Sequence, residues 1–162
     1  LGLVNFVDPH SDFAIGDIHI TPYLVPHDAF EPVQYVLSDG RARVRVLTDT
    51  GTFTALIEST LSGCDALVLE CNHDLDMLMN GPYSVSLKKR VAGRFGHLDN
   101  NAAAALLRNI DCSKLQHVLA AHLSKTNNAP DLARAALAGA LGCEPGWIGI
   151  ARQDTGFEWR QV

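Results

Sequence analysis

The sequence predicts a layered α/β protein in which helices cover a sheet. Three observations carry this. Strand-like segments come first, and helix-like and strand-like segments alternate after them. Residues 66–70 form a continuous rather than alternating apolar run, as strands buried on both faces do, and residues 115–121 are another buried-strand candidate. The stretches between and after these runs carry capped, helix-forming patterns, and alternation of this kind builds a sheet with helices on it.

The elements follow in order. Residues 1–7 read as a short strand. Residues 17–25 alternate apolar and polar side chains, bent at Pro22, which predicts a strand. Residues 33–37, the turn Ser38-Asp39-Gly40 and residues 44–47 predict a hairpin. Thr52 caps a helix that runs through Leu61 and stops at Gly63. After the strand at 66–70, helices are expected at about 84–95 and about 100–110. A last helix starts at Asn128-Ala-Pro-Asp131, with Asn as cap and Asp in the first turn, and ends at Gly142. Residues 147–152 and 156–162 suggest a closing hairpin.

The chain of 162 residues is 47% hydrophobic and 19% charged, which suits one globular domain. No apolar run approaches the roughly 18 residues a membrane span needs, so no membrane partner is expected. The net charge of −5 means that any contact with nucleic acid must be local. Cys64, Cys71, Cys112 and Cys143 form no CxxC pair and read as reduced, cytoplasmic thiols. A meeting of Cys64 with Cys71 is the alternative. Leu1 is no natural initiator, so residues upstream are expected.

Chemistry gathers where the strands end. His27, Asp49, Glu70 and His122 stand at the C-terminal ends of four successive strand segments, the edge at which α/β sheets bind ligands. One such residue is more often structural. Four together, with His97 in a Gly-His pair, point to a site. Imidazole and carboxylate suit zinc or manganese, and one Asp can bridge two ions about 3.5–4 Å apart. Such a pair acidifies a shared water, and a histidine that is not a ligand supplies the leaving group's proton.

The motifs carrying these residues are Pro22-Tyr-Leu-Val-Pro-His27-Asp-Ala, Thr48-Asp49-Thr50-Gly51, Leu69-Glu70-Cys-Asn-His73-Asp, Gly96-His97-Leu-Asp-Asn100 and Ala121-His122-Leu-Ser-Lys-Thr-Asn127-Asn128. In this order they resemble the metallo-β-lactamase superfamily, and within it the small bacterial hydrolases of the WalJ (YycJ) type, related to ribonuclease Z. The resemblance implies the C-terminal half of an αββα sandwich, a mixed sheet with helices on one face. It implies two divalent metal ions, zinc or manganese. His27 would complete the first metal site, Asp49 would bridge, and His122 would belong to the second. His97 would sit at the scissile phosphate, with Glu70 orienting it. His73 and Asn72 belong to the same motif. His73 is set with the catalytic residues and Asn72 with the substrate-binding ones, together with Asn100, Ser124, Asn127, Asn128 and Lys88 of the run Lys88-Lys89-Arg90. Ser124, Asn127 and Asn128 also have a plainer reading as caps of the last helix, the Lys88 run as a solvated face, and His73 as a structural residue.

Two departures stand out. The family's His-x-His-x-Asp-His motif is absent, so the N-terminal half of the domain is expected to be missing from this stretch. Asp99 stands where the group commonly has Ser, and an acid there would repel phosphate unless it faces away. The expected activity is phosphodiester hydrolysis of nucleic acid, of the DNA exonuclease kind. The alternative is a small ester, thioester or phosphodiester hydrolase of the same fold. Asp49-Thr50-Gly51 also matches the loop of a dimeric aspartic protease, which would leave the three histidines unexplained, and a non-catalytic fragment is a third reading. Whether the protein forms a homo-oligomer is open.

Overall fold

Pairing of neighbouring chain segments dominates the architecture. The computed structural model describes residues 6–162. Seven strands lie side by side in chain order: β1 (Phe13–Ile15), β2 (Ile18–Leu24), β3 (Val33–Ser38), β4 (Arg43–Leu47), β5 (Ala66–Glu70), β6 (His117–Ala121) and β7 (Gly149–Ile150). The first four are antiparallel. From β4 onward all pairs are parallel, so the sheet is mixed. The change follows from the connections. A tight turn at Ser38 to Gly40, where Gly40 has φ +87°, reverses the chain between β3 and β4. Helical crossovers return it in the same direction thereafter.

Five helices fill the crossovers and the approach to β7: α1 (Ala55–Leu61), α2 (Leu75–Asn80), α3 (Val85–Val91), α4 (Asn100–Asn109) and α5 (Pro130–Leu141). One core joins sheet and helices. Leu47, Leu67, Leu69, Val118, Ala120 and Ile150 from the strands meet Ile57 and Leu61 of α1, Leu106 and Leu107 of α4 and Leu137 of α5. Arg45 is 5% exposed within this layer. Its Nη1 donates to the carbonyls of Leu61 and Ser62 and so satisfies the C-terminus of α1. On the opposite face of β4, β5 and β6, Val44, Ala66, Val68 and Leu119 border a small open cavity of about 170 Å³ together with the exposed tail residues Phe157 and Trp159.

The element boundaries correct several expectations. Thr54, not Thr52, caps α1, accepting from Ile57 N. Ala129, not Asn128, is the N-cap of α5 and makes no side-chain cap bond; Asn128 is engaged elsewhere, as shown below. The closing hairpin reduces to the two-residue β7 and a single bridge between Arg152 and Gly156, and residues 157–162 form no strand. The strand expected at 1–7 lies mostly outside the described residues, and residues 6 and 7 are not in one. The sequence reading missed β1 and α2. Among the described residues no helix is long and apolar enough to cross a membrane.

Candidate metal centre

Four of the strand ends converge. His27 follows β2, Asp49 follows β4, Glu70 closes β5 and His122 follows β6. His97 arrives from the loop between α3 and α4. That loop rests directly on the Asp-Thr-Gly turn. A Cβ on Gly51 would lie 2.4 Å from the backbone of Gly93 and Gly96, and one on Gly96 would lie 2.2 Å from the carbonyls of Arg90 and Val91. Both positions therefore demand glycine. Asp49 and His122 adopt left-handed backbone conformations, φ +53° and +56°. Non-glycine residues are held there only where the surrounding structure enforces it, and such strain concentrates at functional sites.

Glu70 is the hinge of the arrangement. It is 0% exposed. Its Oε2 accepts from the backbone N–H groups of Thr50 and Leu98, at 3.1 and 3.2 Å. Its Oε1 accepts from Nδ1 of His97 at 2.8 Å and Nδ1 of His122 at 2.7 Å. Burial pushes this carboxyl up, but the bonds from His122 and His97 outweigh burial and bring it down to about 2. Glu70 is thus an ionised acceptor at neutral pH, and both Nδ1 atoms must carry their protons. The same bond raises the pKa of His122 against the opposing effect of burial.

Asp49 faces all three histidines. Its Oδ1 lies 3.7 Å from His27 Nε2, 3.8 Å from His97 Nδ1 and 3.7 Å from His122 Nδ1. These separations are long for hydrogen bonds. Of the three nitrogens only Nε2 of His27 is open to share an ion with Asp49 through these atoms, because Nδ1 of His97 and of His122 is bonded to Glu70; donor atoms that share an ion stand about 3.4 Å apart when each bond is about 2.0–2.2 Å. His27 Nδ1 donates to the Gly96 carbonyl at 3.0 Å, which turns its Nε2 toward Asp49 Oδ1 and, at 3.6 Å, Asp28 Oδ1. An imidazole nitrogen facing two carboxylate oxygens is a donor set suited to a cation. Asp49, Glu70, His97 and His122 also form a set whose donor atoms all lie within 4.8 Å of one another. The donor chemistry therefore fits a divalent metal. His27 stands at the edge of that set, its ring centroid 5.1 Å from that of His97.

A cavity of about 420 Å³ opens over these groups, lined also by Asn72, Leu87 and Arg90. Arg90 pairs with Asp28 and holds that carboxyl below its usual range. Asp28 was not singled out in the sequence, although it follows His27 directly. Asn72 donates to the carbonyl of His122 at 3.0 Å, which ties the two strand-end loops together.

The other expected substrate contacts fall differently. Lys88 donates to the Met79 carbonyl at 2.7 Å and does not line this cavity. Asn100 and Asn128 are buried and bond each other reciprocally, both at 2.9 Å, and Asn128 also donates to the Cys71 carbonyl. Asn127 is 1% exposed, and its amide has no partner among the described residues. His73, expected to be catalytic, is 1% exposed, with burial pushing its pKa down, and does not line the cavity. Ser124 accepts from Asn127 N at 3.1 Å and borders a neighbouring cavity. Asp99 is turned to the N-terminus of α4, where it accepts from Asn101 N and Ala102 N. The acid feared beside a phosphate is thus a helix cap.

A mixed sheet with helices, carrying histidine and carboxylate at its strand ends, is the arrangement of a metallo-β-lactamase-fold protein. Residues 3–122 match the Beta-lactamase superfamily domain, and the chain belongs to that family. It is 36% identical over 119 residues to the exodeoxyribonuclease YycJ of Bacillus anthracis, covering 74% of this chain and 45% of that protein. It is likewise 36% identical over 120 residues to the exodeoxyribonuclease WalJ of Streptococcus pneumoniae, covering 73% of this chain and 44% of that protein. The chain thus spans less than half the length of these relatives. Among solved structures it is similar in fold to the metallo-beta-lactamase fold protein YhfI from Bacillus subtilis, with a TM-score of 0.68 and 19% identity over 94% of this chain and 54% of that one. It is also similar to Zn(2+)-bound PqqB from Methylobacterium extorquens, with a TM-score of 0.67 and 20% identity over 94% of this chain and 51% of that one.

Proposed function

We propose that this chain carries the C-terminal part of a two-metal phosphodiesterase that degrades DNA from an end. The carrying observation is the buried Glu70 carboxylate, which fixes His97 and His122 beside Asp49 through a single oxygen. Two relatives at 36% identity bear the name exodeoxyribonuclease, which supports the choice of substrate.

His27, through Nε2, and Asp49 are the protein's contribution to one zinc or manganese ion in this reading. Asp49 and His122 are its contribution to a second. Bound there, the ions supply an activated water and neutralise phosphate charge. The remaining work belongs to side chains. Glu70 pins the Nδ1–H of His122 and leaves its Nε2 free, the arrangement by which a carboxylate orients a ligating imidazole. Glu70 does the same for His97, whose Nε2 is then free to face substrate. Held by Glu70 through Nδ1, His97 is the group that hands a proton to the leaving oxygen. Asn72 steadies the His122 loop, and Arg90 borders the cavity for a substrate phosphate. The exodeoxyribonuclease YycJ is more than twice as long as the stretch matched here, which leaves room for further ligands in a full-length protein, and the four free cysteines suit a reducing cytoplasm.

The test uses the full-length protein with manganese or zinc and linear DNA labelled at one end. Progressive shortening that slows steeply as salt rises is expected, because each neutralised phosphate releases counterions. Efficient cleavage of bis-p-nitrophenyl phosphate with no action on DNA would move the function to a small ester. Replacing His97 by Ala should lower turnover by about 100-fold or more while metal content stays near two ions. Equal loss of both would make His97 a ligand.

A further inference from the structure

A second cavity, of about 400 Å³, lies next to the first, and His122 borders both. Its wall carries Ser124 and Lys125 from the loop after β6 and Arg152 from the loop after β7. The ion pairs of the described residues include neither Lys125 nor Arg152, whereas Arg90 in the first cavity is paired with Asp28. One carboxylate, Asp154, shares the wall. Pro130 lines it too, at the start of α5, which lacks a side-chain cap and so adds a weak positive potential. In a chain of net charge −5, two unpaired cations in one cavity beside the candidate metal ligands are placed for an anion.

We propose that this cavity is a second phosphate subsite, in which Lys125 and Arg152 hold the backbone phosphate next to the scissile one. The proposal rests on the phosphodiesterase reading and deepens it. His122 borders both cavities, so a strand with one phosphate at the metal centre can place its neighbour between Lys125 and Arg152. Arg152 can grip two oxygens at once through its planar fork, and Lys125 adds a point charge. A chain with successive phosphates fills both cavities, while a lone diester fills one. The subsite therefore favours polynucleotide over small esters.

The experiment measures binding of short, end-labelled single-stranded DNA to the full-length protein by fluorescence anisotropy, with EDTA present to prevent cleavage. None of the subsite's cations is a metal ligand, so binding there needs no ion. The double variant Lys125→Ala/Arg152→Ala should bind about 10-fold more weakly than wild type, and its salt dependence should be flatter by about 0.7 in log–log slope, the value of one single-strand phosphate contact. A probe with one backbone phosphate replaced by neutral methylphosphonate, moved stepwise from the end, should show one position where wild type loses affinity and the double variant does not. Lys114→Ala, which removes a charge before the opposite end of β6, should bind like wild type. Three results would overturn the subsite: wild-type affinity in the double variant, equal weakening by Lys114→Ala, or full displacement of the DNA by an equal concentration of inorganic phosphate. If wild type binds no DNA at all, the nucleic-acid reading itself fails, and the subsite with it.

Discussion

Glu70 has no exposed surface and accepts four hydrogen bonds, two from backbone and two from histidine. An amide cannot replace it. In Glu70→Gln one of the two terminal atoms becomes a donor and must face N–H groups. We expect about 1–3 kcal/mol of lost stability, the cost of leaving buried donors unpaired, read as a lower urea midpoint. Turnover of the full-length enzyme should fall about 10–100-fold, as is usual when the partner of a ligating histidine is removed. A variant as stable as wild type would mean that the carboxylate contributes nothing to the fold. At this scale the strand-end residues were legible, because the position after a strand fixes which edge of the sheet a side chain meets. The surroundings of the asparagines were not: that Asn100 and Asn128 bond each other, and that Asn128 also borders the cavity beside His122, depends on the crossing of three loops. Buried Arg45 was hidden for a similar reason: its partners are the end of a helix 16 and 17 residues away.

Among the elements, α3 is the least anchored. None of its seven residues is buried. It is held beside the cavity by the Arg90–Asp28 pair and by Lys88 on the Met79 carbonyl. Its backbone amides should exchange with solvent well before those of β5 and β6, as expected for a segment with few buried apolar contacts. Protection equal to that of the core strands would contradict this. The loop that follows α3 carries His97 and lies on Gly51. In Gly51→Ala the new methyl meets backbone on the far side, which no rotamer change relieves. The loop must shift, and a small displacement is costly if His97 is the proposed proton donor. Turnover should drop about 10-fold or more while the sheet core stays folded by circular dichroism; wild-type turnover would show that the loop yields freely. The sequence marked both glycines through their motifs but not that they touch. It located β5, β6 and α5 well because their patterns are long and strongly apolar, and it missed α2 because six residues from Leu75 to Asn80 give little more than one turn and a half of periodicity.

For the molecule as a whole, the mixed sheet places every candidate ligand on one edge, yet the chain spans only 45% of one exodeoxyribonuclease it matches. Counting His27 and Asp49 for one ion and Asp49 and His122 for the other gives two protein ligands each, below the three of an ordinary catalytic zinc. Residues 1–162 expressed alone, with zinc or manganese, should therefore turn over bis-p-nitrophenyl phosphate far more slowly than the full-length protein. Comparable turnover would show that the upstream ligands are not needed. Whether these three residues hold metal is decided by zinc-edge anomalous diffraction from crystals of the full-length protein. Two peaks about 3.5–4 Å apart are expected, one within about 2.0–2.2 Å of His27 Nε2 and Asp49 and the other at the same distance from Asp49 and His122, both lost in Asp49→Ala. Zinc bound away from Asp49, or peaks that survive its replacement, would contradict the two-metal site.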